Sequence, residues 1–347
     1  MIILGHIGYM SPSKCTPMNT AARYPIQTHY SPTIAVLIPC HNEAVGIGKV
    51  VREFLLALPD AEIFVYDNAS SDATSAEARS AGATVRYEPQ RGKGNVIRRM
   101  FADIEADVYV MVDGDDTYDA FAAPRLVERL LDESLDMVNA IRKPISDGAY
   151  RKGHRFGNSM LTGVVSWVFG SRIADMLSGY RVLSRRFVKS FPTLSIGFEI
   201  ETELSIHALG LRLPMAEIPV NYKERPIGSQ SKLNTYSDGV RIFTFIVHLI
   251  KEEKPLEFFG CVCLVLALLS AVLEAPVLDT FIKTGSVPRM PTAILGMGVG
   301  LLACLSLTCG LILETVTRGR SEQKRMHYLS VPVCFTSIRP EVGARHT

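Results

Sequence analysis

The chain has 347 residues, room for one or two domains around a sizeable core. Its formal net charge of +2 comes from 37 basic and 35 acidic side chains with no block of one sign, which excludes a nucleic-acid tail. The seven cysteines include no C-x-x-C pair and no Cys/His set with zinc spacing, so a disulfide framework or zinc module is excluded.

The first thirty residues lack a basic start followed by a sustained apolar core, so no signal peptide is expected; the polar, proline-containing stretch reads as a disordered extension or an over-long gene start. A regular pattern begins at Ile34. An apolar run over 34–38 reads as a buried strand, and apolar residues at helical spacing over 44–58 stop at Pro59. A strand over 63–66, a small-residue helix over 72–81, a strand near 83–87, a helix over 94–104 and a strand over 108–112 follow. This alternation predicts an α/β fold with a mainly parallel, Rossmann-like sheet covered on both faces. Beyond it the pattern predicts helices at 122–134, 156–171 and 199–209, and strands at 136–141, 178–186 and 214–222.

Residues 236–254 read as an amphipathic interfacial helix, basic at its end. Two apolar segments follow, about 257–278 and 291–313, against the roughly 20 residues a membrane helix needs; the second qualifies outright, the first only with Glu274 at the interface, and the alternative is two buried helices of a soluble core. Lys251 and Lys254 precede the pair, and Arg318, Arg320, Lys324 and Arg325 follow it. The charge bias places both ends, and with them the soluble domain, in the cytoplasm. The expected organisation is an extension (1–33), an α/β domain (34–235), an interfacial helix (236–255), a two-helix transmembrane hairpin (256–314) and a cytoplasmic tail (315–347). GMGVG at 296–300 mimics a dinucleotide fingerprint, but no strand precedes it; its glycines read as helix-packing positions.

In an open parallel sheet, ligands bind beyond the carboxyl ends of the strands. There the chain places PCHNE (39–43), DNASSD (67–72), QRGKGN (90–95) and DGDD (113–116). Asn42, Glu43 and Asp67 can hydrogen-bond a base or ribose, or simply cap the next helices. Arg91 and Lys93 offer cations and flexible backbone to a phosphate, although such a tetrapeptide also serves as a plain turn. Asp113 and Asp115, separated by Gly114, which would let the backbone turn tightly, can present oxygens to one Mg²⁺ or Mn²⁺ that in turn holds a diphosphate. The alternative for them is a solvated acidic turn.

In this order and spacing, IPCHNE, VYDNASSDAT, RGKGNVIR and VDGDDTYD resemble the nucleotide-sugar half of family-2 glycosyltransferases of the GT-A fold. SGYRVLSRR, GFEIETEL and ERPIGSQSKLNTYSDGVRI extend the resemblance, over about residues 34 to 240, to the polyprenyl-phosphate sugar synthases of the dolichyl-phosphate mannose and glucose type. The resemblance implies that Pro39, Asn42, Glu43 and Asp67 surround the nucleoside and that Asp113 and Asp115 bind the metal. It implies further that Arg225, Ser231 and Lys232 bind donor or acceptor phosphates, and that transfer inverts the anomeric carbon. The departures are Asp-Gly-Asp-Asp in place of Asp-Ala-Asp, and His41 where Tyr is frequent; neither removes a ligand. Arg151 and Arg155 match no motif but stand near the expected acceptor side.

A departing nucleoside diphosphate develops charge that a divalent ion and a Lys/Arg set can stabilise. An ionised lipid phosphate as acceptor needs positioning by cations, whereas a sugar hydroxyl needs a carboxylate base, for which Asp175, Glu199 and Glu201 are candidates. The leading expectation is transfer from a UDP- or GDP-sugar to a polyprenyl phosphate at the membrane, by a protein that binds no nucleic acid and is compatible with a homo-oligomer. The rivals are a hydroxyl-directed transferase and a non-catalytic nucleotide-sugar-binding membrane partner. A processive polysaccharide synthase would add Gln-x-x-Arg-Trp, and the lone tryptophan, Trp167, lies in VVSWVFG instead. A nucleotidyltransferase would carry a Gly-rich loop after the first strand, and none is there.

Overall fold

The computed structural model describes residues 31–144, 162–170, 173–195, 197, 199–226, 244 and 247–332. Ser231 and Lys232, like Arg151 and Arg155, lie outside the described residues, as does most of the expected interfacial helix.

Seven strands form one sheet in the order β3-β2-β1-β4-β6-β5-β7. They are β1 (Ile34–Cys40), β2 (Glu62–Asp67), β3 (Thr84–Tyr87), β4 (Val108–Met111), β5 (Met137–Pro144), β6 (Arg181–Ser184) and β7 (Met215–Tyr222). The first four are mutually parallel, as the alternation predicts. Strand β6 runs antiparallel to both β4 and β5, while β5 and β7 pair in parallel, so the sheet is mixed on this side. Register brings the carboxyl ends of β1, β2 and β4 to one edge: Cys40 pairs with Asp67, and Leu37 with Met111.

Alternation along the strands builds two core layers. Val36, Ile38, Val65, Val110 and Val182 face one side, against α1 (Ile47–Ala57) and α4 (Ala123–Asp132). Leu37, Tyr66, Tyr109, Met111 and Leu183 face the other, against α3 (Lys93–Asp103), α5 (Arg185–Ser190) and α6 (Ile200–Gly210). Helix α1 buries Ile47, Val50, Val51 and Phe54, the one-face spacing of an amphipathic helix, and ends before Pro59, whose ring restricts the preceding residue. The small helix α2 (Thr74–Ser80) precedes β3. Strand β1 runs through Pro39 to Cys40, two residues past its expected end. The first two residues of α5 fall in the expected strand 178–186; Ser184 caps the helix by accepting the Phe187 N–H at 3.0 Å.

Two long helices close the described chain, α7 (Pro255–Thr284) and α8 (Met290–Ser330), each long and apolar enough to cross a membrane. Leucines along both, such as Leu264, Leu268, Leu301 and Leu305, are exposed rather than packed in a core. The two helices meet through small residues: a Cβ at Gly296 would collide with Glu274 and one at Gly300 would press on Ser270 Oγ at 3.1 Å. Ser270 Oγ also donates to the Gly296 carbonyl at 2.8 Å. Gly298 meets nothing and takes no part in this packing. Helix α8 continues well beyond the expected end of the second span at 313.

Candidate active site

The loops after β1 and β2 are stitched together by the residues expected to meet the nucleoside. Asn42, at φ 54°, accepts the Ser71 N–H at 2.8 Å, and its own N–H donates to Ser70 Oγ at 2.9 Å. The buried Asp67 carboxylate accepts the Ser70 N–H at 2.9 Å and the Ser75 hydroxyl. Glu43 donates its N–H to Thr74 Oγ1 at 2.9 Å, and its carbonyl opens α1. Pro39 lies at the end of β1 beside these loops. His41 Nδ1 stands 2.8 Å from the Asn68 carbonyl.

Asn68 emerges as a member of the site that no sequence argument singled out. Its amide donates to the carbonyls of Glu88 and Gln90 at 3.0 and 2.7 Å and accepts the Gly92 N–H at 2.7 Å. One side chain thus ties the end of β2 to the turn that carries Arg91 and Lys93. Gly92 has φ +127°, a conformation open to glycine and costly for side chains. Arg91 is exposed on this turn.

Lys93 points inward. Only 9% of its side chain is exposed, and its ammonium bridges Asp113 Oδ1, at 2.5 Å, and Glu201 Oε1. Burial alone would depress this ammonium; the two carboxylates outweigh it and hold the charge well above the usual lysine range. Burial raises the Glu201 carboxyl despite Lys93, and its Oε2 is buried with no partner among the described residues. Glu199, at the start of the same helix, is exposed.

The acidic loop collects at the end of β4. Asp115 is 4% exposed; its Oδ1 accepts the Thr117 hydroxyl at 2.6 Å and its Oδ2 meets Arg225 Nη2 at 2.7 Å. Burial, then the neighbouring Asp113, push the Asp115 carboxyl up, while Arg225 pulls it down. Asp116, not Gly114, takes the left-handed turn, at φ 55°, and pairs with Lys49 at 2.6 Å. Gly114 is required for space instead: a Cβ there would lie 2.5 Å from Cys40 Sγ. A Cβ at Gly179 would likewise strike the Asp113 carboxylate.

The structure thus gathers Asp113, Asp115, Lys93 and Arg225 at the edge where β2 ends at Asp67 and the loop after β1 carries Asn42 and Glu43. Asp175 is occupied: Arg142 donates to both its oxygens at 2.7 Å, and the carboxylate is 3% exposed. Among the described residues no three His, Cys, Asp or Glu side chains come together as a metal site. The Asp113 and Asp115 carboxylates are hard oxygen donors already balanced by two cations, a donor set that suits an ion with few protein ligands and bound phosphates.

A family model described as "Glycosyl transferase family 2" matches residues 35–189. The chain is 52% identical over 128 residues to protein RfbJ of Shigella flexneri, covering 37% of this chain and 99% of that one. It is 31% identical over 230 residues to glycosyltransferase AglJ of Haloferax volcanii, covering 66% and 76% of the two chains. A dolichyl-phosphate hexose transferase of the same organism is 27% identical over 223 residues, covering 64% and 95%. Among solved structures, glucosyl-3-phosphoglycerate synthase from Mycobacterium tuberculosis, crystallised with Mn²⁺, UDP-glucose and phosphoglyceric acid, superposes with TM-score 0.51 at 24% identity, covering 63% and 79%. That likeness carries the GT-A fold. With its strand-end loops, paired carboxylates and matching relatives, the chain belongs to glycosyltransferase family 2.

Proposed function

We propose that the protein transfers a sugar from a nucleotide-diphosphate sugar to a polyprenyl phosphate at the cytoplasmic face of a membrane. The observation that carries the acceptor choice is the state of the three carboxylates that are candidate bases for a hydroxyl acceptor. Asp175 is held at both oxygens by Arg142, Glu201 meets the Lys93 ammonium through Oε1, and the third candidate, Glu199, stands exposed, so none of the three is both buried and free of a cation. A phosphate acceptor is already ionised near neutral pH and needs only cations to place it. The relative named as a dolichyl-phosphate hexose transferase supports the same choice.

In this reading Asp113 and Asp115 hold Mg²⁺ or Mn²⁺, which supplies Lewis-acid stabilisation of the leaving diphosphate. Lys93 and Arg225, now on those carboxylates, are the cations nearest the diphosphate. Ser231 and Lys232 follow Arg225 closely in sequence and complete the acceptor-phosphate set. Asn42, Glu43 and Asp67 shape the nucleoside pocket chiefly through the loops they hold. Residues 34–235 form the catalytic domain, 236–255 lie at the interface, and α7 and α8 cross the bilayer.

Membranes containing the protein, offered labelled UDP- and GDP-sugars with undecaprenyl phosphate and Mn²⁺ or Mg²⁺, test the proposal. The expected result is label in the organic phase that is lost with EDTA and in Asp115→Ala. Donor binding without lipid product overturns the acceptor assignment.

A further inference from the structure

Trp167 is the chain's only tryptophan, and it stands 59% exposed on a helix at 162–169. The other side of that helix is packed: Val165 joins Ile173, Met176, Leu209 and Leu249 in a buried cluster. Leu249 belongs to the helical residues 247–253 that lead into α7, so the helix bearing Trp167 rests against the approach to the first apolar helix. Lys254, the residue before α7, completes the link, its Nζ lying 5.2 Å from the centre of the Trp167 ring.

The depth of this pair follows from helix geometry. The uncharged run of α7 begins at Phe258, four residues after Lys254. At about 1.5 Å of rise per residue, Lys254 stands about 6 Å outside the hydrocarbon edge. The headgroup layer on each side of a core about 30 Å thick spans about 5–7 Å. An indole beside a lysine at that level is the pairing that membrane interfaces select, an apolar body with a polar edge next to a charge that reaches water. We infer that Trp167 inserts at the lipid headgroup level, making the helix at 162–169 a further membrane contact, supplied by the catalytic domain itself. The inference rests on reading α7 and α8 as spans. It also gives the site a fixed depth: within twelve residues of Trp167 the chain reaches Gly179, which lies against the Asp113 carboxylate.

The full chain reconstituted in liposomes of phosphatidylcholine and phosphatidylglycerol reports on this directly, because Trp167 is the sole indole. Flotation establishes whether the chain is in the bilayer. The expected emission is blue-shifted, shielded from acrylamide, and quenched about twofold more by lipid brominated high on its acyl chains than by lipid brominated near their ends. Trp167→Ala should abolish this signal and leave nucleotide-sugar binding unchanged. A protein that floats while Trp167 remains open to acrylamide and blind to both bromolipids overturns the inference and leaves the spans standing. A protein that does not float overturns both.

Discussion

Gly114→Ala should destabilise the protein and disturb the two carboxylates that flank it, even though Gly114 is not among the residues with positive φ. The cause is space. A Cβ on Gly114 would lie 2.5 Å from Cys40 Sγ, 3.3 Å from Ile38 Cγ2 and 3.4 Å from Ile47 Cδ1. Cys40 is 2% exposed at the end of β1, so its sulfur cannot move aside without shifting the strand. Overpacking of this kind costs about 1–3 kcal/mol. For a domain of this size that is a drop of about 2–4 °C in Tm per kcal/mol. Cys40→Ala alone removes one buried group and costs about 1 kcal/mol. If the contact is the whole effect, the double variant recovers most of what Gly114→Ala loses, a coupling of about 1–2 kcal/mol between the sites. Thermal unfolding of the four detergent-solubilised proteins, with nucleotide binding in Mn²⁺ measured alongside, completes the cycle. Additivity within about 0.5 kcal/mol would refute the steric argument.

Glu201→Gln should weaken Mn²⁺ binding, read by titration calorimetry without donor, because Lys93 then neutralises Asp113 alone; an unchanged affinity would remove Glu201 from the site. The same change should cost less than the about 3–5 kcal/mol of a fully orphaned buried charge, since Asp113 remains as a partner. Asp175→Asn should appear as lost stability with an unmoved pH–rate profile, because it strips Arg142 of a two-point partner; an acid limb that vanishes while stability holds would restore Asp175 as a base. His207, buried between Phe187 and Phe191, is pushed by burial to about 3 from an ordinary 6.5. Its folded form resists the proton that the unfolded chain accepts, so its contribution is complete above pH 6.5 and fades as the pH falls towards 3. At about pH 5 the loss should reach about 2 kcal/mol, and His207→Leu should flatten that acid slope in denaturant melts.

The parallel half of the sheet was legible because its strands and helices differ in period and are separated by polar turns; every element from β1 to β4 stands within three residues of its expected bounds at each end. The direction of β6 was not, since residue pattern marks a strand as buried without saying which way it runs. The start of helix α5 was hidden for a related reason: Ser184-Arg-Arg reads on as a strand until the serine hydroxyl turns back to the Phe187 N–H. In the site, residue types at strand ends pointed to the right loops. They did not show that Asn42 and Asp67 spend their oxygens on those loops, or that Lys93 is shared with Glu201 from a helix more than a hundred residues away. Long-range charge pairing leaves no local mark. Arg181 is the extreme case, fully buried, with its guanidinium bound to the Ser178 and Met176 carbonyls and the Ser205 hydroxyl.

The polar end of α8 shows how one long helix is tied to the α/β domain. RGRSEQKRMHY has no apolar stripe to hold it helical, yet the helix persists to Ser330 because it is fixed at intervals. Thr317 Oγ1 donates to the Glu252 carbonyl at 2.9 Å, and His327 Nε2 lies 3.0 Å from the Lys189 carbonyl. Tyr328 donates to the buried Asp136 at 2.7 Å, under an Arg186 guanidinium 4.8 Å from its ring centre. Lys189 in turn donates to the carbonyls of Phe101 and Ile104, at the end of α3 opposite Lys93. Eleven helical residues, about 16 Å, therefore separate an anchored end of α3 from the end that meets Asp113. A domain hung only from a loop would sample many heights above the lipid. With α8 crossing the bilayer as proposed, a domain braced by it would hold its acidic loop at one height, where a lipid-bound phosphate could meet it and which a diffusing sugar hydroxyl would not require.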